Sequence, residues 1–87
     1  MIDPHEIIVR MMITERASEI VERENRLTFI VRRSATKGQI REAVEALYDV
    51  KVVQVNTIIT PRGQKKAFVK LAPEYNAADL AVKLGLF

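Results

Sequence analysis

Two β-rich runs joined by a very short turn constrain this chain more than any other feature. Residues 50–60 read Val-Lys-Val-Val-Gln-Val-Asn-Thr-Ile-Ile-Thr and residues 65–72 read Lys-Lys-Ala-Phe-Val-Lys-Leu-Ala, with Pro61-Arg62-Gly63-Gln64 between them. β-Branched and aromatic side chains suit a pleated, half-buried surface, while proline ends the first run and glycine loosens the turn. A connection this short implies antiparallel pairing, so the segment reads as a β-hairpin. Alternation in its second strand puts Lys66, Phe68 and Lys70 on one face and Ala67, Val69 and Leu71 on the other. One face can pack while the other binds. Arg62, Lys65, Lys66 and Lys70 give residues 61–71 four cations and no acid. That charge points to a phosphate-rich partner; the competing reading is an edge strand whose lysines guard against aggregation.

The remaining elements follow from local pattern. Ile7, Ile8 and Val9 form a short apolar run before Arg10, a brief first strand or an irregular edge segment. Thr14 ahead of Glu15, Arg16, Ala17 and Ser18 predicts a capped helix of two or three turns. Its Glu15, Glu19 and Glu22, spaced among arginines, read as a solvated, ion-paired face. Residues 26–33 alternate Leu27, Phe29 and Val31 against Thr28, Ile30 and Arg32, the pattern of a strand. Thr36 with Gln39 forms a capping-box signature, and Ile40, Ala43, Val44 and Leu47 fall at helical spacing. A last helix starts at the Asn76 cap and runs through Leu80 and Leu84 to Gly85. The order is (β)-α-β-α-β-β-α, an α+β fold with an antiparallel three- to four-stranded sheet and packed helices. The central helix carries the chain across, and strand 65–72 inserts between 26–33 and 50–60, antiparallel to both.

The 87 residues fit one domain, 1–87, with a single small core. There is no cysteine, so no disulfide framework, thiolate nucleophile or sulfur-based zinc site can be written. No apolar run reaches the roughly 18–20 residues of a bilayer span, and the start, Asp3-Pro4-His5-Glu6, is unlike a signal region. An intracellular soluble protein without membrane insertion is expected. The single histidine, His5, lies beside the N-terminus, a poor place for an ordered base or metal ligand. Gly38, Gly63 and Gly85 are the only glycines, too few for a dinucleotide fingerprint or a P-loop. No enzyme activity, cofactor, metal or small-molecule substrate is expected; Asn56 and Arg62 are the one hint of phosphate chemistry.

Nucleic-acid binding is better supported. Cations cluster at Arg32, Arg33 and Lys37, again at Arg62, Lys65, Lys66 and Lys70, and stand singly at Arg10 and Arg16. The strand-to-helix junction and the hairpin form separate patches in this reading. Such cations neutralise phosphates and orient the ligand more than they read sequence, which suits folded RNA recognised by shape. Only Phe29 and Phe68 are candidates for base stacking, and Phe29 shares a face with the core residues Leu27 and Val31.

With these residues in view, the chain resembles the large-subunit ribosomal proteins of the L-twenty-three type. The most specific match is Lys65-Lys66-Ala67-Phe68-Val69-Lys70-Leu71-Ala72 followed after seven residues by Leu80. Ile13-Thr14-Glu15-Arg16-Ala17, Ala35-Thr36-Lys37 and Val52-Val53-Gln54-Val55-Asn56-Thr57 lie in the family order, so the likeness covers nearly the whole chain. The resemblance implies a cytoplasmic protein on the large ribosomal subunit, beside the exit of the nascent-peptide tunnel. It implies large-subunit rRNA and neighbouring ribosomal proteins as partners. Thr14, Arg16, Thr36, Lys37, Asn56, Thr57, Lys65, Lys66 and Lys70 become RNA contacts by position, joined by Arg10, Arg33 and Arg62 from the charge pattern. Thr14 and Thr36 have helix capping as the competing role, and Asn56 and Thr57 have sheet satisfaction. Glu15, with Glu19 on the same helix, falls where bacterial relatives meet a ribosome-bound chaperone, which implies docking of exit-site factors such as the signal recognition particle. Met11 stands where many relatives have proline, and Arg16 replaces the usual lysine. The hairpin tip, Pro61 to Gln64, is far shorter than the bacterial basic loop, which argues against a tunnel-lining role and for the archaeal branch.

Overall fold

The computed structural model describes residues 3–12 and 14–83. Its elements are α1 (Pro4–Ile7), β1 (Ile8–Met11), α2 (Glu15–Glu24), β2 (Arg26–Val31), α3 (Lys37–Tyr48), β3 (Val52–Ile59), β4 (Lys65–Leu71) and α4 (Ala77–Lys83). Each helix starts where a side chain can satisfy orphan amides. Thr14 Oγ1 accepts from Ala17 N at 3.1 Å, and Asn76 Oδ1 from Ala78 N at 2.8 Å. At α3 the capping box is complete: Thr36 Oγ1 accepts from Gln39 N at 3.2 Å, and Gln39 Oε1 accepts from Thr36 N at 3.0 Å. The one-turn α1 is an addition to the expected order; its signal is Asp3 capping ahead of Pro4 at the first helical position. The expected extension of α4 to Leu84 and Gly85, like Ile13 of the Ile13–Ala17 motif, lies outside the described residues.

The sheet order is β1-β2-β4-β3, antiparallel throughout. β4 is therefore central, as the hairpin insertion requires. Its lysines do not guard an edge, because the edges are β1 and β3. Register pairs Leu27 with Val69 and Val55, and Phe29 with Ala67 and Thr57, on the face covered by α3. Leu27, Phe29, Ala67, Val69, Leu71 and Val52 are buried there with Ile40 and Val44. Phe29 stacks on Tyr48 of α3, ring centroids 5.9 Å apart and planes 15° from parallel.

β2 departs from the alternation expected of a one-sided strand. Thr28 and Ile30 are as buried as their neighbours, because α2 lays Ala17, Ile20 and Val21 over that face. A strand sandwiched between helices loses the polar-out rhythm. It also stops at Val31; Arg32 turns away, its amide donating to Ile7 O at 2.8 Å. β3 is an open edge of eight residues without a charged side chain, and Val53, Ile58 and Ile59 are about half exposed on it.

Asn25 ties the two ends of this arrangement together. It closes α2 in the left-handed conformation at φ 55°, which asparagine tolerates. Its Nδ2 donates to Leu71 O at 3.3 Å and Tyr75 O at 2.9 Å, and its Oδ1 accepts from Ala77 N at 2.7 Å. One side chain thus fixes where β4 ends and where α4 begins. Asn25→Ala is expected to cost about 4 kcal/mol in urea unfolding, about 1 kcal/mol for each of the three lost hydrogen bonds and about 1 kcal/mol for alanine in the left-handed region. Asn25→Gly, which keeps the left-handed backbone but not the bonds, should recover roughly 1 kcal/mol of that. Burial raises the Tyr48 hydroxyl above its ordinary value of 10.0. The folded state holds that proton more tightly than the unfolded chain, so stability present below pH about 10 falls as pH rises through the folded value. Tyr48→Phe should flatten this alkaline limb in pH-dependent melting.

Candidate nucleic-acid interface

The sheet face turned away from α3 is only half covered. Three cross-strand rows lie on it: Arg26–Lys70–Gln54, Thr28–Phe68–Asn56 and Ile30–Lys66–Ile58. α2 covers the first column and leaves the other two open, so Lys66, Phe68 and Lys70 are half-buried and Gln54 and Ile58 are exposed. Asn56 is half-buried beside Phe68. Arg26 spans the first row, its Nη2 donating to Gln54 Oε1 at 3.0 Å over the Lys70 position.

Between α2 and the open columns runs a groove of about 250 Å³. Thr14, Arg16, Ala17 and Ile20 form its helical wall, with Phe68, Lys66 and Ile58 opposite and Thr28 at the base. No acid lines it. Thr14 spends its hydroxyl on the cap, so it contributes position more than a free donor.

The other predicted contacts gather at one end of the molecule, and here the structure joins what the sequence left as two patches. Lys65 lies on the α3 side of β4, and its Nζ donates to Ala35 O at 2.6 Å. Gly63, whose φ of 81° favours glycine, brings the hairpin tip beside Arg33: a Cβ there would make ordinary contact with the Arg33 guanidinium, at 3.6 Å. Arg33, Lys37 and Arg62 are exposed around this junction. Lys65 is thus a strut, and Arg33, Lys37 and Arg62 are the outward charges. Lys37 occupies the first turn of α3, which has no acid, so it adds to the positive end of the helix dipole instead of offsetting it.

The charge distribution is one-sided. No acid occurs between Glu24 and Glu42 or between Asp49 and Glu74. β2, the junction, β3 and β4 are therefore acid-free. Ion pairs among the described residues are Asp3–His5, Glu24–Arg26 and Glu45–Arg41, and none engages Arg16, Arg33, Lys37, Arg62, Lys66 or Lys70. The expected ion pairing on α2 is absent among the described residues for Glu15, Glu19 and Glu22, which stand exposed. Glu19 lines a shallow groove with Arg16 and Arg23 on the outer side of α2, and Arg16 borders both grooves. Arg10 is exposed on the far edge strand β1, with β2 and β4 between it and β3. Thr57 pairs with Ala67 and faces α3, apart from Asn56. Asn56 and Arg62 do not converge: three strand residues, about 10 Å, and the turn separate them.

Phe68, a base-stacking candidate from the sequence, lies on this surface, and Thr28, Gln54 and Ile58 belong to it although the sequence did not single them out as contacts. The signal was available in the turn length, which sets the register and so places Asn56 beside Phe68 and Ile58 beside Lys66.

The family model for ribosomal protein L23 matches residues 6–79, most of the chain. The chain belongs to the ribosomal protein L23 family. Two archaeal relatives extend the match. The large ribosomal subunit protein uL23 of Pyrobaculum aerophilum is 59% identical over 80 residues, covering 92% of this chain and 99% of the relative. That of Methanothermobacter thermautotrophicus is 48% identical over 85 residues, covering 98% and 99%. The family is one of structural, non-enzymatic ribosomal components. Among the described residues no group of three or more His, Asp or Glu side chains could hold a metal, and no helix is long and apolar enough to cross a membrane.

The strut role separates adjacent lysines. Lys65→Ala should lower stability by about 1 kcal/mol through loss of the Ala35 bond, whereas Lys66→Ala should stay within about 0.5 kcal/mol of wild type. Equal losses in chemical denaturation would contradict the assignment.

Proposed function

We propose that this chain is a structural constituent of the large ribosomal subunit that binds large-subunit rRNA near the peptide exit tunnel. The observation that carries this reading is the open half-face of the sheet. There Lys66 and Lys70 flank Phe68 on the central strand, with no acid paired to them and Arg16 across the groove. The junction of Arg33, Lys37 and Arg62 supplies a second contact region, and Asn56 a neutral polar contact between the two lysines' rows. Binding works by phosphate neutralisation on a surface whose backbone is already fixed, so the ordering cost is confined to the rotamers of the lysine side chains. The stripe of Glu15, Glu19 and Glu22 along α2, exposed beside Arg16 and Arg23, disfavours the same polyanion. It therefore stays turned away from RNA and open to neighbouring ribosomal proteins or exit-site factors such as the signal recognition particle. The five-residue connection Thr60–Gln64 keeps the hairpin within the body of the protein.

Lys66→Ala with Lys70→Ala should weaken binding to large-subunit rRNA and reduce the slope of log K against log salt by up to about one unit per lost phosphate contact. A folded double mutant with an unaltered slope would refute the assignment of these lysines. Charge reversal at Glu15 and Glu19 should leave that slope unchanged in the same titration.

A further inference from the structure

The groove between α2 and β4 contains a feature that phosphate binding does not use. Thr28 is 4% exposed, and its Oγ1 has no hydrogen-bond partner among the described residues. A buried hydroxyl without a partner is disfavoured, and such groups are uncommon in native folds. Valine would fill the same volume without the penalty. Thr28 lies in the groove directly beside Phe68, which is partly exposed, and Asn56 pairs with Phe68 on its other side. Arg16 and Lys66 border the mouth.

We infer that this groove is a receptor for one unpaired nucleotide of the bound RNA, its base stacked on Phe68 and hydrogen-bonded at its edge by Thr28, its phosphate held by Lys66 and Arg16. The inference rests on the RNA-binding reading above and adds a local preference to it. The groove, about 250 Å³, falls below the roughly 300–1,000 Å³ of pockets that enclose drug-sized ligands, which suits one flat ring system. Its chemistry selects the same class: an apolar wall of Ala17, Ile20 and Ile58 for a ring face, an aromatic plane, and cations without any acid. Stacking on a single aromatic platform tolerates any base, whereas the Thr28 hydroxyl, both donor and acceptor, adds an edge contact. Thr28 lines the groove while its hydroxyl is covered in the free protein, so on this reading the edge contact requires the Phe68 side chain to change rotamer as the base enters.

The test uses two RNA hairpins of identical stem, one fully paired and one carrying a single bulged 2-aminopurine, titrated against the full chain and its variants. Wild type should prefer the bulged hairpin by about tenfold or more, the range expected for one stacked base, and should change the 2-aminopurine fluorescence on binding. Phe68→Leu should remove most of that preference and the fluorescence change, the preference being the ratio of the two hairpins' affinities for the same variant. Thr28→Val should reduce the preference about three- to tenfold, the loss expected for one hydrogen bond, yet raise the urea midpoint of the free protein. If Thr28 is only a filler of the sheet, the preference will not move in Thr28→Val. If both hairpins bind equally with a salt slope that depends on Lys66 and Lys70, the nucleotide receptor is refuted while RNA binding stands. If neither hairpin nor large-subunit rRNA binds, both readings fall; capture of an apolar peptide side chain by the groove in place of the base would overturn the inference alone.

Discussion

The fold depends on β4 being hydrogen-bonded on both sides. A strand paired along both edges has no backbone group left to offer water, so its position, twist and register are fixed by the ladder. Its side chains inherit that rigidity. Ala67, Val69 and Leu71 commit one face to the α3 layer with almost no exposure. Lys66, Phe68 and Lys70 are then held on the other face at every second residue, about 7 Å apart. Moving the backbone at any one of them means shifting a strand to which two others are hydrogen-bonded.

Much of this was legible in the chain, and the reasons differ by element. The hairpin and α3 could be read because local chemistry dictates them: a proline-ended β run, a short turn, and a threonine–glutamine pair that bond each other's amides. The central place of β4 followed from the connection rule. β2 was harder, because its second buried face is created by α2, a helix whose docking leaves no mark in residues 26–31. α1 was missed because one turn of helix has no period to detect, although Asp3 and Pro4 marked its start.

The site was legible as charge and not as geometry. Counting cations found Arg33, Lys37, Arg62, Lys66 and Lys70, and alternation set Lys65 and Lys66 on opposite faces, but sequence spacing cannot tell that Lys65 reaches the Ala35 carbonyl at the junction. Nor can it join the tip to the strand-to-helix turn: the contact between Gly63 and Arg33 spans thirty positions of sequence that only the folded sheet brings together. The two helices also treat charge differently. α2 follows its dipole, with Glu15 in the first turn and Arg23 in the last, whereas α3 opens with Lys37 against it. Unfavourable local electrostatics retained on an otherwise well-capped helix fit a surface shaped for an anionic partner more than for the stability of the free protein.

The bare edge of β3 has a consequence for the protein's life before assembly. An eight-residue strand whose outer edge has no partner among the described residues, rich in isoleucine and valine and free of charge, forms a template onto which a second strand can add. Such an edge favours self-association of the native free chain, at a rate that grows with its concentration. Prompt incorporation into a larger assembly is then a matter of colloidal safety as well as function, and an unassembled surplus is hazardous even when every molecule is correctly folded.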